Sequence, residues 1–254
     1  MLEAPTAQNQ WIGIPGNLAH FTGEEGVLRK KAISESINRQ QIADNIFKGT
    51  RKPARDFTSS SLPGFNGNLP GEEVLNYDPE GAKRLWAQAD AIAPWSGQFQ
   101  IAYNSDGGHQ AWIEAVANSI KNTLGIEAVG AAYPTFKQVR DEITGKTINK
   151  GFRYGWQGDY PSMLQFLTPN FLSTSPTNDV EYKSPEFDAK LNAALQAKTP
   201  EESYAQTAQA QEILLRDLPS IPVFDYIASA GKSENVTNAE LAWNGLADFE
   251  NITK

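Results

Sequence analysis

The side chains best suited to ligand chemistry are concentrated between residues 153 and 161, which read Arg-Tyr-Gly-Trp-Gln-Gly-Asp-Tyr-Pro and end a predicted strand. Asp159 could accept a ligand ammonium group, and Arg153 could hold a carboxylate through a two-pronged ion pair. The ring of Trp156 could cover the ligand or contact its cation, and Tyr160 is a further aromatic residue of the group. Because ligands of α/β proteins bind at the ends of strands, the segment predicts a small-molecule site.

A purely structural interpretation of the same residues is also open. Asp159 would then cap the turn that follows it, Trp156 would belong to the core, and Arg153 would keep an edge strand soluble. The spacing of the residues alone does not decide between the two interpretations.

Other kinds of chemistry find little support in the sequence. There is no phosphate-binding loop of the GxxxxGK[ST] or GxGxxG type and no GxSxG nucleophile motif. The chain has no cysteine and two histidines, His20 and His109, which are far apart. We therefore predict no metal site and no cofactor, and we interpret His109, at a helix start, as structural or solvated. Pairs of adjacent acidic residues are interpreted as solvated helix faces.

Composition limits the class of protein. The 254 residues are 40% hydrophobic and include 6 Trp, enough for one large domain or two small ones with a real core. The net charge of −8 argues against nucleic-acid binding, which needs clustered Lys and Arg. No apolar run approaches the roughly 20 residues of a membrane span, which argues against an integral membrane protein.

The order of predicted elements favours an α/β fold with a mixed sheet, because strands and helices alternate. Apolar spacing predicts one long helix over residues 24–47, and Asp78 with Pro79 predicts the start of another. A strand bounded by prolines over 219–224 suits a sheet edge or the entry to a sheet. The other predictions, in chain order, are a loop over 51–71, strand 99–103, helix 110–124, strand 126–133, helix 136–143, strand 151–156, a helical turn over 162–167, helices opening at Ser184 and Pro200, and two short strands within 236–254.

Five segments, taken in order, resemble those of the extracytoplasmic solute-binding proteins that serve peptide transporters of the ATP-binding cassette (ABC) type. They are residues 32–42 (AISESINRQQI), 77–85 (YDPEGAKRL), 155–161 (GWQGDYP), 182–188 (YKSPEFD) and 217–223 (DLPSIPV). Residues 234–245 are similar to Gram-positive surface members of the family. The chain departs from the family pattern at Asn38, where Asp is usual, at Gly158, where Ala is usual, and at Met163–Leu164, which replace a second proline.

The resemblance implies an α/β fold of the periplasmic-binding-protein type: a type II, C-terminal lobe with a mixed sheet flanked by helices. Family members have about twice this length. Residues 1–254 are therefore expected to form a single C-terminal lobe of a longer two-lobed protein. Residues 226–254 are expected to form a tail that returns towards the N-terminal lobe.

The resemblance also implies a function. The protein would capture an oligopeptide or dipeptide between two lobes and deliver it to membrane permease subunits, as a monomer without enzymatic activity. It would be extracytoplasmic, either lipid-anchored at the cell surface or periplasmic. By this resemblance Asp159 receives the ligand's α-amino group beside Trp156, and Arg153 meets its C-terminal carboxylate. Alternatives are a relative that carries nickel, haem or an oligosaccharide, a hydrolase of peptides or sugars, and a protein-interaction lobe with no small ligand.

Overall fold

The computed structural model describes residues 1–250 and 252–253 and contains one six-stranded mixed sheet with helices on both faces. The strands are β1 (Leu2–Gly13), β2 (Arg51–Pro53), β3 (Gln98–Asn104), β4 (Glu127–Tyr133), β5 (Gly151–Gln157) and β6 (Ser220–Ala230), and β7 (Glu240–Leu241) pairs with β8 (Ala247–Asp248) as a hairpin. The helices are α1 (Gly23–Glu35), α2 (Arg39–Ile42), α3 (Pro79–Ile92), α4 (Gln110–Leu124), α5 (Phe136–Thr144), α6 (Leu164–Phe171), α7 (Pro185–Leu195) and α8 (Pro200–Asp217). The fold class predicted from the sequence is confirmed.

The strand order β2-β6-β1-β5-β3-β4 determines which ends of the strands meet. Strand β1 is antiparallel to both β5 and β6, whereas β3 is parallel to β4 and β5. The carboxyl ends of β3, β4, β5 and β6 therefore lie at one edge of the sheet, together with the amino ends of β1 and β2. We call this the carboxyl edge.

Two hydrophobic clusters cover the two faces of the sheet. Adjacent residues of β1 separate them: Trp11 packs with Phe152 in one cluster, and Ile12 packs with Trp112 in the other. This division follows from the two-residue period of a strand, which sends successive side chains to opposite faces. Both faces of the sheet are thus buried, so the side chains of the strands can meet a ligand only at the ends of the sheet.

The predicted helix starts are confirmed by their capping bonds. The Asp78 carboxylate accepts from the backbone N–H of Gly81 at 2.9 Å, and Pro79 occupies the first helical position. The side chain of Ser184 caps α7 in the same way. Helix α4 ends at Gly125, whose φ of 71° lies in the left-handed region that favours glycine.

The prediction of a single helix over residues 24–47 is wrong. The helix stops at Glu35 and resumes at Arg39, followed by a π-helical turn over Ala43–Phe47. Asn38 causes the break, because its side chain caps the new helix by accepting from the N–H of Gln41 at 3.1 Å. Its own N–H donates to Ser119 of α4 at 3.0 Å, which fixes the break against a neighbouring helix.

Strand β6 lies inside the sheet, between β2 and β1, and not at its edge. Pro222 is tolerated there because β2 pairs only with Phe224–Tyr226, and because the pairing with β1 shifts register at Gln10–Trp11. The two short strands predicted in the tail are β7 and β8. The carbonyl of Trp243, between them, accepts from the N–H of Ala7 at 2.7 Å, so the tail packs beside β1.

Candidate functional site

The segment that the sequence singled out ends an interior strand at the carboxyl edge. Strand β5 lies between β1 and β3, so the interpretation of Arg153 as a residue of an edge strand is wrong. Pairing of β5 with β3 stops at Phe152, and the backbone beyond it pairs with β1 alone. This opening beside β5 leaves room for the half-buried side chain of Arg153.

Asp159 is exposed just beyond the end of β5, and Gln165 of α6 holds it in place. The Gln165 amide Nε2 donates to Asp159 Oδ2 at 2.8 Å, while Gln165 Oε1 accepts from the N–H of Asp159 at 3.3 Å. The same oxygen accepts from Trp156 Nε1 at 2.8 Å. Because Gln165 is only 9% exposed, it fixes the carboxylate and the indole relative to each other.

These contacts test the purely structural interpretation, in which Asp159 caps the following turn and Trp156 belongs to the core. The residue before α6 makes no side-chain cap, and the hydrogen bond that the Asp159 carboxylate accepts comes from a side-chain amide. Within residues 1–250 and 252–253, Asp159 makes no ion pair. Trp156 does pack against the core, but it is only partly buried. The arrangement leaves a positioned carboxylate free for a cation.

Arg153 contacts His109, a histidine that the sequence analysis assigned to structure or solvent. Arg153 Nη2 lies 2.6 Å from His109 Nε2, and Trp112 Nε1 donates to His109 Nδ1 at 3.1 Å. Burial, followed by the charge of Arg153, lowers the pKa of His109 to about 4. A neutral imidazole carries one N–H and one acceptor, so it cannot accept from both donors. One donor is therefore left for another acceptor.

A second arginine lies at the same edge. Arg51 begins β2, and its guanidinium carbon is 3.2 Å from the centroid of the Tyr226 ring. Among the residues that the structure describes, neither Arg51 nor Arg153 forms a salt bridge to a carboxylate within 4.0 Å, and the buried Nε of Arg153 has no hydrogen-bond partner. Burial lowers the pKa of both side chains, yet arginine stays charged at neutral pH. Two unpaired cations in an acidic chain make this part of the edge suited to an anion.

The carboxyl edge thus carries unpaired charges of both signs. Arg153 and Asp159 are six positions apart, so their Cα atoms are separated by at most roughly 20 Å at about 3.3 Å per extended residue. Two exposed aromatic side chains, Phe136 and Tyr160, flank the charges, and the Arg153 guanidinium carbon lies 5.9 Å from the Phe136 ring. The edge can therefore hold a ligand with a cation at one end, an anion at the other and apolar groups between.

Metal chemistry has no comparable support. In the described part of the chain, no three residues of the His, Cys, Asp or Glu type come together in a group that could hold a metal ion.

None of the described helices is both long and apolar enough to span a bilayer.

Comparison with known proteins gives the class. Residues 27–178 match the family of bacterial extracellular solute-binding proteins, family 5 (middle region), and the chain belongs to that family. The family consists of binding proteins and not of enzymes. Its members are periplasmic or extracellular.

Two relatives within this kind of protein are similar to the chain in sequence. Over 230 residues the chain is 25% identical to the oligopeptide-binding protein OppA of Bacillus subtilis, covering 87% of this chain and 41% of OppA. Over 204 residues it is 31% identical to the periplasmic oligopeptide-binding protein OppA of Salmonella typhimurium, covering 78% of this chain and 36% of that protein. The chain therefore spans about two fifths of these relatives.

A solved structure supports the fold. HbpA2 from Haemophilus parasuis superimposes with a TM-score of 0.86 at 20% identity, over 99% of this chain and 49% of that one. The structural neighbours are type II periplasmic binding proteins, as the sequence analysis expected.

Proposed function

We propose that this chain is the C-terminal, ligand-binding lobe of the peptide-binding component of an ABC importer. The observation that carries the proposal is the pair of unpaired, opposite charges at the carboxyl edge: the Asp159 carboxylate on one side and Arg51 with Arg153 on the other. A peptide with free termini carries the complementary charges. The names of the two curated relatives, both oligopeptide-binding proteins, support the same solute class.

Each residue has a role in this proposal. Asp159 receives the α-amino group of the peptide, and Trp156 and Tyr160 line that end of the site. Arg153, which has no carboxylate partner in the described part of the chain, binds the C-terminal carboxylate through its guanidinium group, and Arg51 adds positive charge. Buried charge pairs of this kind contribute affinity only when both partners are present, so each terminus of the ligand should matter.

The rest of the cycle belongs to the longer protein. A second lobe would close on the peptide, and the loaded monomer would deliver its peptide to membrane permease subunits. Of residues 226–254, those up to Ala230 belong to β6 of this sheet, so only the chain beyond β6 would return towards that lobe. It would do so from a lipid anchor at the cell surface or from the periplasm. The coverage of the curated relatives, 41% and 36% of their length, supports the two-lobe proposal.

Calorimetry on the full-length protein tests the proposal with one peptide in four forms: free at both termini, N-acetylated, C-amidated, and blocked at both ends. We expect each block to weaken binding and the double block to weaken it most, while mass spectrometry recovers the peptide intact. Equal affinity for the free and doubly blocked forms would refute recognition of the termini. Cleavage of the peptide would refute the assignment as a binding protein.

A further inference from the structure

A groove without charged residues lies between the stretch Asn38–Ile46 and helix α4. Residues 38, 41, 42, 45 and 46 recur at three- and four-residue steps, and so do residues 115, 118, 119, 122 and 123, so each set forms one helix face. Tyr77 completes the lining. None of these residues is charged, although the chain has 22 basic and 30 acidic residues.

Four of the eleven lining residues carry side-chain amides that have no partner among the described residues, and Ile46 and Ala115 add apolar surface beside them. Gln41 and Asn45 on one wall and Asn118 and Asn122 on the other are exposed. None of their side-chain amides hydrogen bonds to another residue in the described part of the chain. Each amide offers two donors and one acceptor, so the groove presents both kinds of group along both walls.

The floor of the groove is fixed. The hydroxyl of Ser119 donates to the carbonyl of Ser36 at 2.7 Å, and buried Ile42 and Thr123 fill the space below the amides. The cavity is about 340 Å³, within the roughly 300–1,000 Å³ typical of small-ligand sites. Tyr77, which lines the groove, is 46% exposed. A π-helical turn, a feature frequent at functional sites, supplies Asn45 and Ile46.

We propose that this groove binds a neutral saccharide. Paired donors and acceptors on facing walls match the hydroxyl groups of a sugar, the exposed Tyr77 ring offers a surface for its apolar face, and the lack of charge fits an uncharged ligand. The site is separate from the carboxyl edge. His109 precedes the first residue of α4, and Asn118 and Asn122 lie 9 and 13 residues further on, roughly 14 and 20 Å along a helix with a rise of 1.5 Å.

The test is a titration of the full-length protein with three neutral tetrasaccharides (maltotetraose, cellotetraose and chitotetraose), followed by calorimetry and saturation-transfer NMR. We expect at least one to bind with a Kd of about 1 mM or tighter. The double variant Asn118→Ala/Asn122→Ala should weaken binding about tenfold, because it removes two neutral hydrogen-bonding groups. Tyr77→Ala should also weaken it. The matched control is Asn192→Ala, an exposed asparagine of α7 outside the groove.

Several results would overturn the saccharide site. They are binding of none of the three sugars at this level, an equal loss in the Asn192→Ala control, and displacement of the sugar by an uncharged Gly-Ser peptide that binds the groove more tightly. Loss of sugar binding in Asp159→Asn would place the sugar at the carboxyl edge instead of in the groove. The peptide-binding proposal can fail without affecting any of these outcomes.

Discussion

Two arginines on opposite parts of the fold show how pairing separates structure from ligand binding. Arg29 of α1 is fully buried between the rings of Trp86 and Trp95, with its guanidinium carbon 4.4 and 5.1 Å from their centroids. It also donates to two carboxylates, those of Glu25 and Asp90, at 2.7 and 3.0 Å. The charge is neutralised inside the molecule, as a structural role requires.

Arg153 is in the opposite situation. It is half-buried, its Nη2 faces a histidine that cannot accept from both of its neighbours, and no salt bridge to a carboxylate neutralises it in the described part of the chain. The difference suggests a rule for this chain: a charge paired within the lobe stabilises it, and an unpaired charge that solvent can reach binds a ligand. The predictions below test that rule.

The largest expected effect is on folding. Arg29→Met keeps much of the side-chain volume but leaves Glu25 and Asp90 without their shared cation. We expect a loss of about 3–5 kcal/mol in the free energy of unfolding, as for other broken buried pairs. Urea denaturation of the variant measures this loss. If the variant instead lost peptide affinity at unchanged stability, the structural role of Arg29 would be refuted.

Asp159→Asn should have the next largest effect, on binding. The substitution leaves the ligand's ammonium group buried and unpaired in the full-length protein, which costs about 2–5 kcal/mol in binding free energy. Calorimetry should show this loss for a peptide with a free amino terminus and little change for its N-acetylated form. Asp44→Asn, at an exposed carboxylate away from the edge, is the matched control. Equal losses for both peptides would mean that Asp159 has a structural role only.

The sequence predicted the local parts of this picture. Capping residues such as Asp78 and Ser184, and the alternation of strands, depend on neighbours in the chain, and the structure confirms them. Arg153 and Asp159 were found because they belong to one short segment. Their role as ligand-binding residues stays a prediction.

The partners of those residues could not be predicted, because distant parts of the chain supply them. Arg51, His109 and Gln165 come from different elements and meet the segment only through the strand order of the sheet. The same reason explains the error over residues 24–47, where Ser119 of α4 helps to fix the break at Asn38. Apolar spacing within one helix carries no information about such a contact.

A smaller effect is expected for Arg153→Lys, which keeps the charge but removes the two-pronged geometry. We expect a loss of about 1–2 kcal/mol in the binding of a peptide with a free carboxylate, and little change for its C-amidated form. Arg84→Lys, on the exposed face of α3, is the control. Unchanged affinity in Arg153→Lys would show that the carboxylate is bound elsewhere on the edge.

The last prediction concerns charges that are unpaired but buried, where the rule should give a different outcome. Asp56 and Asp225 are 1% and 4% exposed, and each has one carboxylate oxygen without a partner in the described part of the chain. Burial raises the pKa of Asp56 from 3.8 to about 6, and burial together with the charge of Asp56 raises that of Asp225 well above its ordinary value. Solvent-borne ligands cannot reach such groups, so protons must neutralise them.

The sign of the pH dependence follows from these shifts. Between about pH 4 and pH 6 the folded state holds more protons on these carboxylates than the unfolded state does, so the free energy of unfolding should fall as the pH rises through this window. Asp225→Asn removes one of the two acids, and we expect it to stabilise the protein at pH 7 and to change stability much less at pH 4. Urea denaturation at both pH values measures the difference. A variant that is less stable than the parent at pH 7 would mean that the Asp225 carboxylate is charged and paired inside the protein. Burial would then not be what makes Asp225 behave differently from the exposed carboxylate of Asp159.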